Sequence, residues 1–163
     1  MKAIFSLIFL SLFVTFSFAQ ETPKPEFVDL PYYWNKESNT LITFSKETLK
    51  MKVLGMKMLY KYSGTESKTK IKSSNKISIL INSSNPLYLS ALKIYKLTVK
   101  KKTREAIVVT TGLRTATMSD ENVIDFNSKN LEGNIYELVL SSQLDKGEYV
   151  ITNGMHSYTF SVE

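Results

Sequence analysis

The residue types that most often perform catalysis are scarce in this chain. It contains one histidine, His156, and no cysteine, and a serine nucleophile normally needs a histidine base within hydrogen-bonding distance. No G-x-S-x-G motif occurs, and no acidic residues stand around His156 at the spacing of zinc ligands. We therefore predict no catalytic residue, no metal ligand and no cofactor-binding residue.

Paired carboxylates are the remaining route to catalysis, because hydrolysis of a glycosidic bond requires only two acids at a suitable separation. The candidates lie in the second half of the chain and are Asp120, Glu121, Asp125, Glu132 and Glu137. Acids are common in surface turns, so their presence alone does not select an enzyme. A hydrolase or lyase that acts on an acidic polysaccharide is therefore the alternative function.

Lysine dominates the positive charge of the chain. The formal net charge is +6, and lysines concentrate between residues 46 and 76 and again in the segment Lys100, Lys101, Lys102 and Arg104. A positive surface attracts acidic proteins and glycans, so Lys57, Lys61 and the second group are candidate ligand contacts. Because arginine makes bidentate contacts to anions and lysine does not, we expect a diffuse, solvated basic surface.

The first nineteen residues have the pattern of a secretory signal peptide. Lys2 is followed by an apolar run from Ala3 to Phe18, and residues 17–19 form a small-x-small cleavage site before Gln20. The run is short for the roughly 20 residues of a membrane-spanning helix. We therefore expect a soluble, secreted or periplasmic protein with no transmembrane segment after cleavage. Export also argues against a nucleic-acid partner, although lysines between tyrosines are suited to binding single strands.

Short strands separated by turn residues dominate the remainder of the chain. Residues 32–34 and 41–44 flank a polar turn and predict a first hairpin, and residues 94–99 and 106–111 predict a second. Further strands are predicted at residues 76–81, 123–126, 135–140, 148–152 and 156–162. In the last of these, Tyr158, Phe160 and Val162 point inward, and Ser157, Thr159 and Ser161 point outward. Seven to nine such strands predict an all-β, antiparallel Greek-key sandwich.

Residues 49–62 fit two patterns. With period two, the methionines and tyrosines from Met56 to Tyr62 share one face, whereas with helical spacing Leu49, Val53 and Met56 form a stripe opposite lysines. Gly55 would cost about 1 kcal/mol relative to alanine within a helix, and aromatic residues favour a strand. We therefore expect β-structure. The alternative is a basic amphipathic helix, which would suit a membrane-surface or host-interaction factor.

The C-terminal segment carries a more specific arrangement. Asp145, Gly147 and Tyr149 form a D-x-G-x-Y pattern that resembles the tyrosine corner of immunoglobulin-like β-sandwiches. The resemblance implies that the Tyr149 hydroxyl bonds to the upstream backbone, which makes the three residues structural. It departs at Ile151, where antibody domains carry cysteine. The whole chain also resembles small, uncharacterised exported β-sandwich proteins of bacteria, which implies a fold and a compartment but no activity.

These features predict a signal peptide at residues 1–19, a proline-containing leader at residues 20–31 and one β-sandwich domain at residues 32–163. Tyr32, Tyr33 and Trp34 are the candidate aromatic contacts, because at least one of three consecutive strand residues points away from the core. We expect Tyr33 to oppose Tyr32 and Trp34. The predicted function is that of a non-enzymatic binding or accessory protein for a protein or glycan partner, with edge strands available to a partner strand.

Overall fold

The computed structural model describes residues 21–72, 77–112, 115–119 and 121–163. The predicted signal peptide lies outside the described residues. Elements of the first half are β1 (Pro31–Asn35), β2 (Thr40–Thr43), β3 (Ser45–Glu47), β4 (Lys50–Leu54), β5 (Lys57–Ser63), β6 (Lys70–Ile71), β7 (Ser78–Asn82) and the helix α1 (Pro86–Ala91). They are followed by β8 (Lys93–Val99), β9 (Thr103–Thr111), β10 (Ala116–Met118), β11 (Val123–Ile124), β12 (Phe126–Glu132), β13 (Ile135–Leu140), β14 (Gly147–Thr152) and β15 (Ser157–Val162).

The strands form two sheets. The first has the order β12-β13-β7-β1-β2, and the second has the order β3-β15-β14-β8-β9-β5-β4. Three short strands extend the second sheet, since β10 pairs with β9, β11 with β8 and β6 with β15. Every pairing is antiparallel except that of β6 with β15. Strands account for 57% of the described residues and helix for 4%, so the expected all-β, antiparallel class is confirmed.

The second sheet curls into a half-barrel. Its two edge strands are consecutive in the chain, because β3 ends at Glu47 and β4 begins at Lys50. In a flat sheet these edges would lie roughly 29 Å apart, at about 4.8 Å per strand spacing. Three residue steps span at most about 11 Å. The sheet must therefore bend until its edges approach each other, which gives it a concave and a convex face.

Two chain segments pass from one sheet to the other. β2 pairs with β1 in the first sheet, β3 pairs with β15 in the second, and the buried Phe44 lies between them. In the same way β11 pairs with β8 and β12 with β13. Strands can change sheets at bends of this kind. The predicted strand at residues 123–126 is thus divided, and the one at residues 41–44 is followed directly by the unpredicted β3. The described residues contain fifteen strands where seven to nine were expected.

The larger hydrophobic core lies between the first sheet and the convex face of the second, where Ile79, Leu138 and Phe160 meet. A smaller cluster occupies the concave face and consists of Tyr62, Tyr95, Leu97, Ala106, Val108 and Val150. The strands β14 and β15 are consequently buried on both sides. The expectation that Ser157, Thr159 and Ser161 face solvent is wrong, because the curled sheet encloses the face on which they lie.

Both predicted hairpins are present. Trp34 lies opposite Leu41 in the pair β1–β2, and Val99 lies opposite Arg104 in the pair β8–β9. Residues 49–62 form the hairpin β4–β5 around Gly55, whose φ of 58° favours glycine at a turn. The expected β-structure is confirmed and the helical alternative is wrong. The proposed membrane-surface helix therefore has no counterpart in the fold.

The D-x-G-x-Y segment makes the hydrogen bond that the resemblance implies. The hydroxyl of Tyr149 donates to the carbonyl oxygen of Asp145 at 2.8 Å. The ring of Tyr149 stacks on Phe160 with centroids 5.4 Å apart, and burial raises the pKa of the Tyr149 phenol. This bond fixes the entry of the chain into β14, a strand that contributes to both cores.

The leader packs along the first sheet. Asn39 Nδ2 donates to the carbonyl of Glu21 at 3.2 Å, and the backbone N–H of Phe27 donates to the Tyr32 hydroxyl at 3.2 Å. The helix α1, which the sequence did not predict, begins where Asn85 Oδ1 accepts the N–H of Leu87 at 3.0 Å. Across the described residues, no helix has the length and apolar character that crossing a membrane requires.

Candidate functional site

Arg104 lies on the concave face and is completely buried. Its Nη2 donates to both carboxylate oxygens of Glu47, at 2.8 and 2.7 Å. Its Nη1 donates to Glu148 Oε2 at 3.1 Å and to the hydroxyl of Ser67. Arg104, Glu47 and Glu148 thus form a buried ion cluster in which β9 contacts both β3 and β14.

The two carboxylates of the buried ion cluster have further donors. Thr159 Oγ1 donates to Glu47 Oε1 at 2.6 Å. Glu148 accepts the backbone N–H of Ser67 at 2.8 Å, the hydroxyl of Ser67 at 2.7 Å and the hydroxyl of Ser161. Buried ion pairs are tolerated when additional hydrogen bonds satisfy their remaining polar atoms. These contacts hold both glutamates in place, and we assign the cluster a structural role in maintaining the curl.

The position of Arg104 corrects one prediction. Lys100, Lys101 and Lys102 are exposed in the turn between β8 and β9, as a solvated basic group would be, but Arg104 points into the protein. It therefore is not a surface contact beside these lysines. Its partners, Glu47 and Glu148, were not singled out from the sequence. The available signal was the arginine itself, because arginine is preferred over lysine in buried ion pairs.

A series of hydrogen-bonded hydroxyl groups crosses the concave face. Tyr62 donates to Ser157 Oγ at 3.0 Å, and Thr152 Oγ1 donates to the carbonyl of His156 at 2.8 Å. Ser157 and Thr152 share a hydrogen bond of 3.0 Å, in which Ser157 must be the donor because Thr152 has a single hydroxyl hydrogen. Burial raises the pKa of the Tyr62 phenol. These hydrogen bonds connect β5 with the turn between β14 and β15.

A groove with a volume of about 520 Å³ opens at this turn. It is lined by Lys46, Glu47, Thr48, Leu49, Met51, Gly154, Met155 and His156. Glu47, the partly exposed member of the buried ion cluster, thus also lines the groove. The backbone N–H of His156 donates to Asn153 Oδ1 at 2.8 Å within the turn. In the part of the chain that the structure describes, no group of three or more His, Cys, Asp or Glu residues is placed to hold a metal ion.

Exposed apolar side chains surround the groove. Met51 and Met155 line it and are 67% and 81% exposed, and Met118, 61% exposed, lines a neighbouring groove of about 150 Å³ that shares Gly154. Val53 is 69% exposed and shares the strand face of Met51, since side chains alternate. We call Met51, Val53, Met118 and Met155 the methionine rim.

The strand register places most of the methionine rim on the concave face. Met51 lies opposite Tyr60 and Met118 lies opposite Val109. Both of these partners pack against the concave core cluster, and residues directly opposite each other share a face of the sheet. The rim therefore continues the buried apolar surface outward to solvent. Its sequence signal was weak, because isolated methionines in different strands show no local pattern.

The other side of the same hairpin is basic. Lys50, Lys52, Lys57 and Lys61 share the convex face, and we call them the lysine face. Lys61 forms an ion pair with Glu105 at 3.2 Å, and Lys57 approaches Glu121 at 3.8 Å. Burial raises the pKa of Glu105, but hydrogen bonds from Lys61 and Thr103 outweigh it, so the net shift is downward. The predicted contacts Lys57 and Lys61 therefore belong to one surface of β5. Lys100, Lys101 and Lys102 lie elsewhere, in the turn between β8 and β9.

The aromatic cluster is oriented differently from the expected ligand site. Tyr33 opposes its neighbours, as expected, but it packs against the larger core. Tyr32 and Trp34 occupy the other face and are buried there. Trp34 Nε1 donates to Asn39 Oδ1 at 3.0 Å, and Lys36 Nζ lies 4.7 Å from the Trp34 ring centroid. The cluster stabilises the first sheet and its leader.

The candidate acids for hydrolysis lie in separate surroundings. Glu137 accepts hydrogen bonds from Lys36 at 2.9 Å and Ser78 at 2.5 Å. Glu132 forms a 3.8 Å ion pair with Lys24. Asp125 lines a third groove of about 490 Å³ beside α1 and β12. Asp120 lies outside the described residues.

The chain was compared with protein-family models, with curated proteins and with solved structures, and no match was found in any of the three comparisons.

Proposed function

We propose that this protein is an exported, non-enzymatic binding or accessory protein that holds a protein or glycan partner at the methionine rim. The observation that carries the proposal is the gathering of Met51, Met118 and Met155, each more than 60% exposed, at one end of the concave face. Exposed apolar patches beside grooves mark interaction sites. Methionine is unbranched and polarisable, which lets one surface adapt to partners of different shape.

The charge distribution supports an acidic partner. The lysine face lies on the opposite side of the hairpin that carries Met51 and Val53, so it can attract a partner without displacing apolar contacts. Complementary charge raises association rates and excludes partners of like charge. An acidic protein segment or an acidic glycan fits this arrangement better than a neutral ligand, and export makes nucleic acid an unsuitable partner.

The compartment is part of the proposal and rests on residues 1–19. Cleavage after Ala19 would leave Gln20 as the first residue, directly before the packed leader. N-terminal sequencing of the protein recovered from the periplasm or the medium of an expressing bacterium tests this step. Recovery from the cytoplasm with Met1 retained would contradict it.

An immunoglobulin-like, Greek-key relationship is also part of the proposal. Its support is the Tyr149 to Asp145 hydrogen bond and the shared core between the two sheets. The curled second sheet, with seven strands in its main path, departs from the aligned sheets of immunoglobulin domains. An experimental structure that places β14 and β15 as the last two strands of a Greek key would support the relationship.

Methionine-methyl NMR provides a direct test of the binding site. A peptide library and a glycan array are first screened for binding. Protein labelled with ¹³C at the methionine methyl groups is then titrated with the peptides and glycans that bind. We expect the resonances of Met51, Met118 and Met155 to shift. Met51→Ser should weaken binding about tenfold, whereas Leu87→Ser, which changes a 77% exposed residue on α1, should not.

Two results would overturn the proposal. One is a ligand whose binding leaves the methionine rim resonances unchanged. The other is turnover in a panel of glycoside hydrolase and lyase substrates that is lost in Asp125→Asn or Glu137→Gln, because it would favour the carboxylate-based alternative.

A further inference from the structure

We propose that the free edge of β4 binds an extended partner segment in which acidic and apolar residues alternate. This inference rests on the proposed binding function and adds the chemistry of the partner. β4 pairs with β5 along one edge, and the described residues provide no strand for its other edge. All five residues of β4 are exposed. An exposed, unpaired strand edge is a template for the backbone of an added strand.

The two faces of β4 specify what an added strand must carry. Lys50 and Lys52 lie on the convex face, and Met51 and Val53 lie on the concave face. A strand added at this edge continues both faces, with each of its side chains opposite one of β4. Acidic residues therefore belong opposite the lysines, and apolar residues belong opposite Met51 and Val53.

The lysines of β4 have weaker acidic contacts than the neighbouring lysines of β5. Lys61 and Lys57 on β5 form ion pairs with Glu105 and Glu121. In the described ranges neither Lys50 nor Lys52 forms an ion pair, although Lys52 is close enough to Glu105 to help lower the pKa of that carboxyl. Lys50 also lies directly opposite Lys61, and like charges in this position repel each other. An acidic partner strand would relieve this repulsion.

The same charges disfavour a second copy of this chain as the occupant. Full antiparallel overlap of two β4 strands would place Lys52 opposite Lys52 of the second copy. Parallel overlap in register would place Lys50 opposite Lys50 as well as Lys52 opposite Lys52. Lysines placed directly opposite each other repel, which opposes the pairing of two β4 strands. The partner is therefore a different chain, and its acidic character follows from the lysine face.

Synthetic peptides provide the test. The probe is a fluorescent peptide of about nine residues that alternates glutamate with valine, long enough to cover β4. We expect it to bind the intact protein, and we expect a block peptide of identical composition, with the glutamates and valines segregated, to bind at least tenfold more weakly. Two N-methylated peptides carry the methyl groups on alternate amides. Only the one whose methylated amides face β4 should lose binding.

Protein variants locate the site. Lys52→Glu should weaken binding of the glutamate peptide about tenfold and strengthen binding of a lysine-valine peptide. Lys101→Glu makes the same charge change in the turn between β8 and β9 and should have little effect. Circular dichroism of both variants verifies that the fold is retained.

The outcomes separate this inference from the proposed function. Binding of glycans or peptides at the methionine rim that is insensitive to N-methylation and to Lys52→Glu overturns strand addition and leaves the proposed function standing. The absence of any ligand in both sets of experiments overturns both. Sedimentation that shows a dimer dissociated by Lys52→Glu overturns the acidic partner in favour of a second copy.

Discussion

Arg104 on β9 and Glu47 on β3 form a bidentate ion pair across the concave face, with nitrogen–oxygen distances of 2.8 and 2.7 Å. Three strands separate β3 from β9 in the sheet order, so the two strands would lie roughly 19 Å apart in a flat sheet. The pair forms because the sheet is curled. Since Glu47 also lines the groove, the same contact connects the curl to the shape of the proposed binding site.

Replacement of Arg104 tests this structural role. Arg104→Met leaves the buried carboxylate of Glu148 and the partly buried carboxylate of Glu47 without their counter-charge, and it should lower the free energy of unfolding by about 3–5 kcal/mol. Urea denaturation measures the loss. Lys101→Met, at an exposed position, should change the value by less than about 0.5 kcal/mol. The triple variant R104M/E47Q/E148Q should regain part of the loss. Equal stability of R104M and K101M would contradict the assignment.

The hydroxyl of Tyr62 makes a separable contribution. Tyr62→Phe removes the hydrogen bond to Ser157 and should lower stability by about 1 kcal/mol at neutral pH. The folded phenol has a raised pKa, whereas the unfolded phenol ionises near 10.0. Wild-type stability should therefore decline as the pH rises above 10, because only the unfolded state loses this proton.

The Tyr62→Phe variant has no phenol at this position to ionise in the unfolded state. The difference in the free energy of unfolding between wild type and this variant should therefore shrink above pH 10. Denaturation curves at pH 7, 9 and 10.5, with Tyr136→Phe as the control, measure the effect. A deficit that stays constant over this range would contradict a buried, neutral Tyr62.

Glu137 predicts the behaviour in acid. Burial raises its pKa, but hydrogen bonds from Ser78 and Lys36 outweigh burial and lower it below the ordinary 4.5. As the pH falls below this value, the unfolded state takes up the proton first, so the stabilising contribution is lost as the pH drops through the folded pKa. Glu137→Gln should be less stable than wild type at pH 7, and the difference should narrow at pH 3.

Glu132→Gln is the control for Glu137, because its side chain is 67% exposed and should show no comparable pH dependence. Urea denaturation between pH 7 and pH 3 compares the three proteins. If the difference in the free energy of unfolding between Glu137→Gln and wild type widened in acid, the downward shift of the Glu137 pKa would be contradicted.

The corner bond of Tyr149 is testable by removing one oxygen atom. Tyr149→Phe keeps the ring packed on Phe160 but leaves the Asp145 carbonyl without its donor, which should cost about 1 kcal/mol. Thermal denaturation detects a loss of this size as a lower Tm. Tyr136→Phe, at a half-buried position of β13, should lie close to wild type. If the two variants were equally stable, the hydrogen bond would contribute nothing to the fold.

Local patterns predicted the hairpins well. The pairs β1–β2, β4–β5 and β8–β9 each combine short alternating segments with an adjacent turn, so both partners lie within about twenty residues and the turn sets their pairing. The hydrogen bond of Tyr149 to Asp145 was equally accessible, because the two residues are four positions apart. The direction of each side chain in β15 also followed from alternation alone.

What could not be predicted is which faces become enclosed. Ser157, Thr159 and Ser161 have the alternation of a solvent face, and only the curl of the sheet buries them. The partners Arg104 and Glu47 are 57 residues apart, and no local period connects them. The divisions at Phe44 and between β11 and β12 depend on how two sheets meet, which the strand pattern of either segment does not contain.

The amino-acid sequence by itself determined the all-β class, the positions of the hairpins and the local hydrogen bond of Tyr149, because these depend on alternation and turn preferences between near neighbours. The tertiary structure decided the rest. By bending the second sheet until β3 and β4 approach, it placed Arg104 among glutamates instead of lysines and brought methionines from separate strands to one rim. Contacts across a curled sheet depend on its curvature, and curvature is a property of all its strands together.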